Sequence, residues 1–550
     1  MQSNFSISGQ IVDVFQRKIF PGTINVQQGI IDSIIPLDSA PQQFILPGFV
    51  DAHVHIESSM LVPTEFARIA VTHGTVATVS DPHEIANVCG IDGLLYMLEN
   101  AKLSPFKFFF GAPSCVPATM FESAGAAIDS HAINELLSRP DIYYLSEMMN
   151  YPGVLNNDSE VLKKIAVAHY HHKPIDGHAP GLRGSEVKKY AAQGITTDHE
   201  CFTKEEALDK IAANMYILIR EGSAAKNFEA LVELFAHHAP FLMFCSDDKH
   251  PDDLILSHIN SHVKRAADKG FDLFDILFSA CVSPVLHYKI PVGLLRVNDS
   301  ADFIVLNDLK EFEVQKTYIS GKLVAEKGQS LLTRKAVHPI NHFKAQKIDG
   351  KTLRVEAKKG LKKIKVIEAL EGQLITQTFE ATPKVIQEEI VSDVANDILK
   401  VVVLNRYEER AKPAIAFIKN FGLTQGAIAS TVAHDCHNII AVGVDDDCLA
   451  AAINAIVETK GGISVAVSAK DVSILPLPIA GLMTNEDGYT VAAQYAQLNK
   501  RTIELLQCKL SAPFMTLSFM ALLVIPDLKL SDKGLFSGSQ FSFTDVQITA

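Results

Sequence analysis

The chain alternates between two patterns of apolar and polar positions. Residues 5–45 and 288–330 alternate apolar and polar side chains, interrupted by Gly and Pro, which predicts short antiparallel strands joined by turns. Residues 46–248 instead switch between short apolar runs and helical periods, a pattern typical of a parallel α/β fold. The first stretch has too few strands for a stable sheet. We therefore expect 288–330 to complete one small β-sandwich with it, built from both sides of the α/β segment.

The α/β segment contains eight apolar runs that we interpret as parallel strands. Helical periods such as Thr64–His73, Ser159–His171, Lys204–Ala213 and Phe228–His237 lie between them. Eight strands with intervening helices predict a (β/α)₈ barrel of the TIM type, in which chemistry gathers at the C-terminal ends of the strands. The predicted strands end near His55, Asp81, Gly111, Glu147, His178, His199, Arg220 and Asp247.

The rest of the chain predicts an additional domain. Lys327–Gly350 is irregular and polar and indicates a linker, and residues 351–550 return to an α/β pattern. Within it, the acidic run Asp445-Asp-Asp447 indicates the start of a helix. We predict a composite β-sandwich over 1–45 and 288–340, a barrel over 46–287, and a C-terminal α/β domain over 351–550.

Composition excludes several classes of partner. A formal net charge of -13 provides no basic surplus for nucleic acid or an anionic membrane surface. The eight cysteines include no Cys-x-x-Cys pair, which fits a reducing compartment. There is no signal-like N-terminus, and no apolar run approaches the roughly 20 residues that span a bilayer. We expect a cytoplasmic protein with no membrane and no nucleic-acid partner.

The predicted strand ends collect side chains that bind metals. In a strand, residues two apart point to one face, so His53 and His55 can reach one ion together. Taken singly, each histidine is as well explained as a hydrogen-bonded loop or core residue. Four imidazoles and two carboxylates together suit Zn²⁺, Mn²⁺ or Fe²⁺ better than Ca²⁺ or Mg²⁺. The six predicted ligands are His53, His55, Glu147, His178, His199 and Asp247.

These donors divide between two ions. We expect His53, His55 and Asp247 to hold one ion and His178 and His199 the other, with Glu147 bridging them. A divalent cation lowers the pKa of bound water to about 7, and Asp247 can then take the proton of that water. Asp248 is the alternative if the strand register differs.

Two further groups have open interpretations. Asp81, His83 and Glu84 contact substrate or hold an additional ion, or they are a capping acid and loop residues at a helix start. In the C-terminal region a second polar group either covers the barrel mouth, forms another metal site, makes a subunit contact or is a structural hydrogen-bond cluster. Its members are His434, Asp435, His437 and Asn438. Ser58 and Ser59 are interpreted as loop hydrogen-bonding residues, not nucleophiles.

Short motifs follow most of the predicted strand ends and recur in the C-terminal region. They are Pro47-Gly-Phe-Val-Asp-Ala-His-Val-His55, Ser80-Asp-Pro-His-Glu84, Glu147-Met-Met-Asn-Tyr-Pro-Gly153, Gly177-His-Ala-Pro-Gly-Leu182, Thr197-Asp-His-Glu200, Cys245-Ser-Asp-Asp248, Ala433-His-Asp-Cys-His-Asn438 and Leu477-Pro-Ile-Ala-Gly-Leu482. Together these motifs resemble the amidohydrolase superfamily and, within it, the adenine deaminase family of the prokaryotic, nucleobase-acting type. Many binuclear members of the superfamily have a carboxylated lysine where this chain has Glu147, and this difference disfavours a hydantoinase or dihydroorotase.

The resemblance implies hydrolysis of adenine to hypoxanthine and ammonia, with metal-activated hydroxide attacking C6. It assigns Asp247 to the water proton. Glu200 either protonates the purine ring or only orients His199. It also implies two divalent ions per subunit, with Mn²⁺ or Fe²⁺ favoured and Zn²⁺ possible, and a homo-oligomer. The alternatives are another amidohydrolase acting on a cyclic amide or N-acetyl substrate, and a barrel that has lost its ligands and serves as a binding scaffold.

Overall fold

A computed structural model describes residues 4–549. The chain begins with antiparallel strands, as the alternating pattern predicts. β1 and β2 pair from Phe5 with Val26 to Asp13 with Lys18, and β4 then joins β1 in parallel. The four strands are β1 (Phe5–Asp13), β2 (Lys18–Gln27), β3 (Ile30–Pro36) and β4 (Phe44–Pro47).

Eight parallel strands follow, and each matches one of the predicted apolar runs. They are β5 (Phe49–Val54), β6 (Thr75–Ser80), β7 (Lys107–Ala112), β8 (Ile142–Met148), β9 (Ile175–Gly177), β10 (Thr197–Asp198), β11 (Tyr216–Arg220) and β12 (Leu242–Cys245). β5 to β9 form one parallel sheet and β10 to β12 another. Parallel bridges from Ile175 to Ile195 and from Val54 to Asp247 join the two sheets at both edges, so the strands close into the predicted barrel.

Helices surround the barrel strands. They are α1 (Pro63–Ala70), α2 (His83–Ala101), α3 (Ser130–Leu137), α4 (Tyr151–Leu155), α5 (Ser159–Tyr170), α6 (Gly184–Ala191), α7 (Lys204–Ile211), α8 (Phe228–Leu231), α9 (Phe235–His238), α10 (Pro251–Leu254), α11 (Ile259–Asp268), α12 (Leu273–Leu277) and α13 (Ser283–Tyr288). The helix predicted over Phe228–His237 is divided into α8, a 3₁₀ turn and α9.

The chain then returns to the first sheet. The strands β13 (Phe303–Leu306), β14 (Val314–Ile319), β15 (Lys322–Glu326) and β16 (Gln329–Ser330) extend it to the order β16-β15-β14-β13-β4-β1-β2-β3. Both flanks of the barrel therefore share one sheet, which packs over its own cluster that includes Ile24, Ile45 and Phe303.

Residues 293–302, predicted as part of a strand, form a loop instead. Asp302 Oδ2 accepts a hydrogen bond from the backbone nitrogen of Gly293 at 2.8 Å, and Asp299 Oδ2 accepts from that of Leu294 at 2.8 Å. These carboxylates compete with a strand partner for the backbone donors, so only the apolar end of the segment joins the sheet.

The C-terminal α/β region has its own mixed sheet, in the order β18-β17-β22-β21-β24-β23-β25-β26 with β30 beside β17. The strands of the whole region are β17 (Leu361–Ala369), β18 (Thr376–Ala381), β19 (Lys384–Ile386), β20 (Glu389–Val391), β21 (Ile398–Leu404), β22 (Ala414–Lys419), β23 (Ala427–Ser430), β24 (Ile439–Gly443), β25 (Gly462–Ser468), β26 (Asp471–Pro476), β27 (Leu528–Ser531), β28 (Gly534–Ser537), β29 (Ser542–Phe543) and β30 (Gln547–Thr549). Among them, β19 with β20 and β27 with β28 and β29 form two separate small sheets. Its helices are α14 (Asp446–Thr459), α15 (Gly488–Glu504) and α16 (Pro513–Ser518).

The C-terminal region packs directly on the barrel. Thr484 exchanges backbone hydrogen bonds with the segment before α1, donating to Met60 O at 2.9 Å and accepting from Val62 N at 3.4 Å. Asp445 caps α14 by accepting from Cys448 N at 2.8 Å, which confirms the helix start predicted from the acidic run. Within residues 4–549, no helix is both long and apolar enough to cross a membrane.

Candidate active site and metal centre

The six predicted ligands converge at the C-terminal rim of the barrel. His53 Nε2 and His55 Nε2 lie 3.2 Å apart at the end of β5. Asp247 Oδ1 lies 3.5 Å from the first nitrogen and 3.1 Å from the second. Asp247 follows β12 with φ of 53°, a left-handed conformation that is costly for a non-glycine residue and is often found at functional sites. The register therefore brings Asp247 to the histidine pair.

Glu147 organises the second half of the rim. Its Oε2 lies 2.8 Å from His178 Nδ1 and 3.0 Å from His199 Nε2, and these two nitrogens are 3.3 Å apart. Its Oε1 lies 3.4 Å from His55 Nε2. The carboxylate thus lies between the two histidine groups, where a bridging ligand has to be.

The spacing of these atoms fits divalent cations. Two ligands about 2.1 Å from one ion, at tetrahedral or octahedral angles, lie roughly 3.0–3.4 Å apart. The His53, His55 and Asp247 atoms and the His178 and His199 atoms are separated by distances close to this range. All of these side chains are buried, and buried donors need partners. The donor set therefore fits borderline divalent metals.

Opposite charges keep the carboxylates ionised. Burial alone would raise the pKa of Glu147, but His178 and His199 hold it well below its usual range. Burial likewise opposes ionisation of Asp247, while Arg220, His53 and His55 hold its pKa well below normal. Ionised carboxylates are the form that binds a cation.

Sequence reasoning missed Arg220, which ends β11. Its buried guanidinium donates to Asp247 Oδ2 at 2.6 Å and to both oxygens of Glu200, through Nη1 to Oε1 and through Nη2 to Oε2 at 3.2 Å. Despite burial, Arg220 and His178 lower the pKa of Glu200. The position of Arg220 at a strand end was a signal. A guanidinium cation does not bind a metal ion, however, so a pattern of metal ligands does not include arginine.

The further candidate residues differ in their positions: Asp81 and His83 follow β6, and Asp248 follows β12. His83 Nδ1 lies 3.3 Å from both Asp81 Oδ2 and Glu147 Oε1, so His83 belongs to the rim. Asp81 Oδ1 also accepts from the backbone nitrogen of His83, the first residue of α2, at 3.1 Å. Asp248 accepts a hydrogen bond from Ser58 Oγ at 2.5 Å and lines a cavity above the rim. Asp247, and not Asp248, approaches the nitrogens of the histidine pair.

Glu84 connects the barrel to the C-terminal region. Its Oε1 lies 2.5 Å from His434 Nδ1, and its Oε2 accepts from His437 Nε2. Asn438 Nδ2 donates to Ser123 O at 2.8 Å. Of the predicted roles for the C-terminal polar cluster, the structure shows a hydrogen-bond cluster that also covers the barrel mouth.

The cover leaves a small, partly open cavity above the rim. Barrel and C-terminal side chains both line it. The C-terminal wall consists of Leu374, His434, Asp435, Phe519 and Leu522, and Met149 adds an apolar side chain from the barrel. The apolar wall residues lie in stretches whose apolar pattern is indistinguishable from ordinary core, so the sequence carried no signal for them.

This fold and rim define a member of the amidohydrolase family, whose sequence model matches residues 44–324. The model of the adenine deaminase C-terminal domain matches residues 373–542. Across 99% of both chains, the sequence is 55% identical to an adenine deaminase of Sulfurovum sp. (strain NBC37-1) and 52% identical to one of Salinibacter ruber. The chain belongs to the adenine deaminase family.

The similar solved structures are more distant in sequence. A β-aspartyl dipeptidase of Fervidobacterium islandicum AW-1 is 13% identical, with a TM-score of 0.46 over 61% of this chain and 100% of that one. An adenine deaminase of Methanosarcina barkeri, by contrast, is 51% identical over 98% of both chains. The relatives favour the deaminase hypothesis over the alternative of a cyclic-amide or N-acetyl hydrolase.

Proposed function

We propose that this protein hydrolyses adenine to hypoxanthine and ammonia. The observation that carries the proposal is the convergence of Glu147 with the histidines of three separate strand ends at one covered rim. The curated relatives that match nearly the whole chain carry the same activity in their names. A binding scaffold without catalysis has no need for such a set of ionised donors.

We propose that His53, His55 and Asp247 hold one divalent ion and His178 and His199 a second, with Glu147 between them. When bound, such ions lower the pKa of water so that hydroxide is available near neutral pH. Imidazole and carboxylate ligands accommodate Mn²⁺, Fe²⁺ and Zn²⁺ alike. The prediction of Mn²⁺ or Fe²⁺, with Zn²⁺ possible, therefore rests on the family resemblance.

Asp247 is the proposed acceptor of the water proton. It reaches the histidine pair through Oδ1, while Oδ2 accepts from Arg220 at 2.6 Å. Because Arg220 keeps the carboxylate ionised, Asp247 enters the reaction as a base. Water adds its oxygen to C6, and the amino group leaves as ammonia after it gains a proton.

Glu200 is the proposed donor to the purine ring. Its side chain borders the cavity, and Arg220 holds both of its oxygens. Since its pKa is lowered, Glu200 begins ionised. It therefore first accepts one of the two protons of the water and then passes it to N1, while Asp247 passes the other proton to the leaving amino group. Arg220 contacts both carboxylates, so we propose that it positions the two groups that exchange protons with substrate.

The test is deamination by the purified, metal-reconstituted full chain. Adenine should yield equal amounts of hypoxanthine and ammonia, whereas hydantoin, dihydroorotate and N-acetyl substrates should not be turned over. Asp247→Asn should lower kcat by about 10²–10⁴-fold, the usual contribution of a positioned base. Turnover of the cyclic amides without adenine deamination would contradict the proposal.

A matched control uses an acid outside the site. Asp268 pairs with Lys264 at 2.7 Å on the surface of α11, so Asp268→Asn should leave kcat unchanged. The domain boundaries, the homo-oligomeric state and the cytoplasmic location stay predictions. Size measurements of the purified protein would check the oligomeric state, and fractionation of cells would check the location.

A further inference from the structure

His434 has one ring nitrogen engaged and the other free. Its Nδ1 lies 2.5 Å from Glu84 Oε1, while its Nε2 is buried and has no hydrogen-bond partner within residues 4–549. The side chain is only 3% exposed. A buried polar atom without a partner costs stability unless a ligand supplies one.

The surrounding contacts fix the orientation of this imidazole. Its ring stacks on that of Phe519, with centroids 4.5 Å apart and planes inclined by 12°. The second oxygen of Glu84 accepts from His437 Nε2, and His437 Nδ1 accepts from the backbone nitrogen of Ala433 at 3.2 Å. The carboxylate is therefore held from both sides, and it holds His434 in turn.

The imidazole also borders the cavity that contains the rim. Its neighbours on the C-terminal wall are Asp435 and the apolar side chains of Leu374, Phe519 and Leu522. Apolar side chains can contact the faces of a planar purine, while placed polar groups bind its ring atoms. Burial opposes protonation of His434, but the carboxylates of Glu84 and Asp248 raise its pKa to about 9, which favours an imidazolium with a hydrogen on Nε2.

We propose that His434 Nε2 donates a hydrogen bond to an acceptor nitrogen of the purine ring, so that the C-terminal domain supplies a substrate-contacting residue. The proposal rests on the proposed function, since it takes adenine as the occupant of the cavity. Glu84 and His437 act as positioning residues, because they reach the substrate only through His434. A domain outside the barrel would then contribute to base recognition.

The test measures binding, so that it does not depend on turnover. Calorimetry on the metal-loaded full chain compares hypoxanthine with 3-deazahypoxanthine and 7-deazahypoxanthine, in which a C–H group replaces one acceptor nitrogen. The enzyme should bind one of the two analogues about 10- to 100-fold more weakly, the range for a hydrogen bond to a charged group. In His434→Leu this difference should disappear, with two metal ions retained per chain.

The control variant is His338→Leu, which removes an exposed histidine and should keep the preference. Equal binding of hypoxanthine and both analogues by the wild-type chain would overturn the proposal, and this comparison needs no variant to fold. Loss of a metal ion in His434→Leu would also overturn it and make His434 a ligand. An enzyme that shows the binding preference but does not deaminate adenine would refute the proposed reaction and leave the contact standing.

Discussion

Two buried clusters of histidine and carboxylate begin on the same barrel strand, yet their polar atoms are satisfied differently. In the inner cluster, Asp51 accepts from the backbone nitrogens of His53 at 3.3 Å and Ser246 at 3.0 Å. It also accepts from the Ser246 hydroxyl and from His258 Nε2 at 2.8 Å, and His258 Nδ1 lies 2.6 Å from Thr75 Oγ1. Both oxygens of Asp51 and both ring nitrogens of His258 therefore have hydrogen-bond partners within the protein.

The rim cluster starts two residues further along β5. His53 Nε2 and His55 Nε2 approach each other at 3.2 Å, and both approach the same oxygen of Asp247. Within residues 4–549, His178 Nε2 and His83 Nδ1 are buried without a hydrogen-bond partner. A closed hydrogen-bond network indicates a structural role, whereas several donors that converge on shared points indicate a cation.

The strongest test of this difference removes one acid from each cluster. Glu147→Gln should lose bound metal and lower kcat for adenine by at least about 10³-fold, because metal activation of water contributes several kcal/mol. Asp51→Asn should keep both. Metal analysis and steady-state kinetics measure the two variants together, and an Asp51→Asn enzyme that lost its metal would break the comparison.

Arg220 tests whether the rim depends on its supporting cation. Arg220→Lys cannot reproduce the fork that reaches Glu200 and Asp247, so kcat should fall by about 10- to 100-fold with metal content unchanged. Kinetics with metal analysis provide the measurement. Full activity in this variant would show that the two carboxylates keep their positions without the guanidinium.

The inner cluster is expected to contribute to the free energy of unfolding. Asp51→Asn replaces an acceptor of four hydrogen bonds with an amide that presents two hydrogens, so a donor such as the Ser246 hydroxyl loses its acceptor. We expect a loss of about 1–3 kcal/mol in unfolding free energy, seen as an earlier thermal transition. An unchanged transition would mean that the closed network contributes little.

Lys529 provides a third case for the comparison: a buried lysine whose hydrogen-bond acceptors are both neutral backbone carbonyls. It donates to Leu374 O at 2.6 Å and Phe519 O at 2.9 Å, and burial lowers its pKa to about 7. Between pH 7 and 10 the unfolded chain holds a proton that the folded chain lacks, so stability should rise with pH by at most about 1.4 kcal/mol per unit. Below pH 7 the penalty for burying the charge persists.

In Lys529→Met this rise should be absent. Denaturant unfolding of both proteins at pH 7, 8.5 and 10 provides the measurement, with the difference between them isolating Lys529 from other groups. A wild-type curve that is flat over this range, or identical slopes in the two proteins, would contradict the prediction.

The barrel was predictable because its local signals agree. Short apolar runs separated by helical periods identified all eight strands, and the six predicted ligands at the strand ends meet at one rim. The loop over 293–302 was predicted wrongly, since its residues have strand character while Asp299 and Asp302 take its backbone donors. Such side-chain competition depends on how the loop folds back.

By itself, the sequence determined the repeating strands and helices and the six donors at the strand ends, because spacing along the chain dictates which side chains a barrel brings to its rim. Only the tertiary structure decided that Arg220 binds Glu200 and Asp247, that Glu84 receives His434 and His437, and that Phe519 and Leu522 cover the cavity. These contacts join residues from distant parts of the chain. Their pairing is set by how the C-terminal domain packs on the barrel, and no local pattern encodes that arrangement.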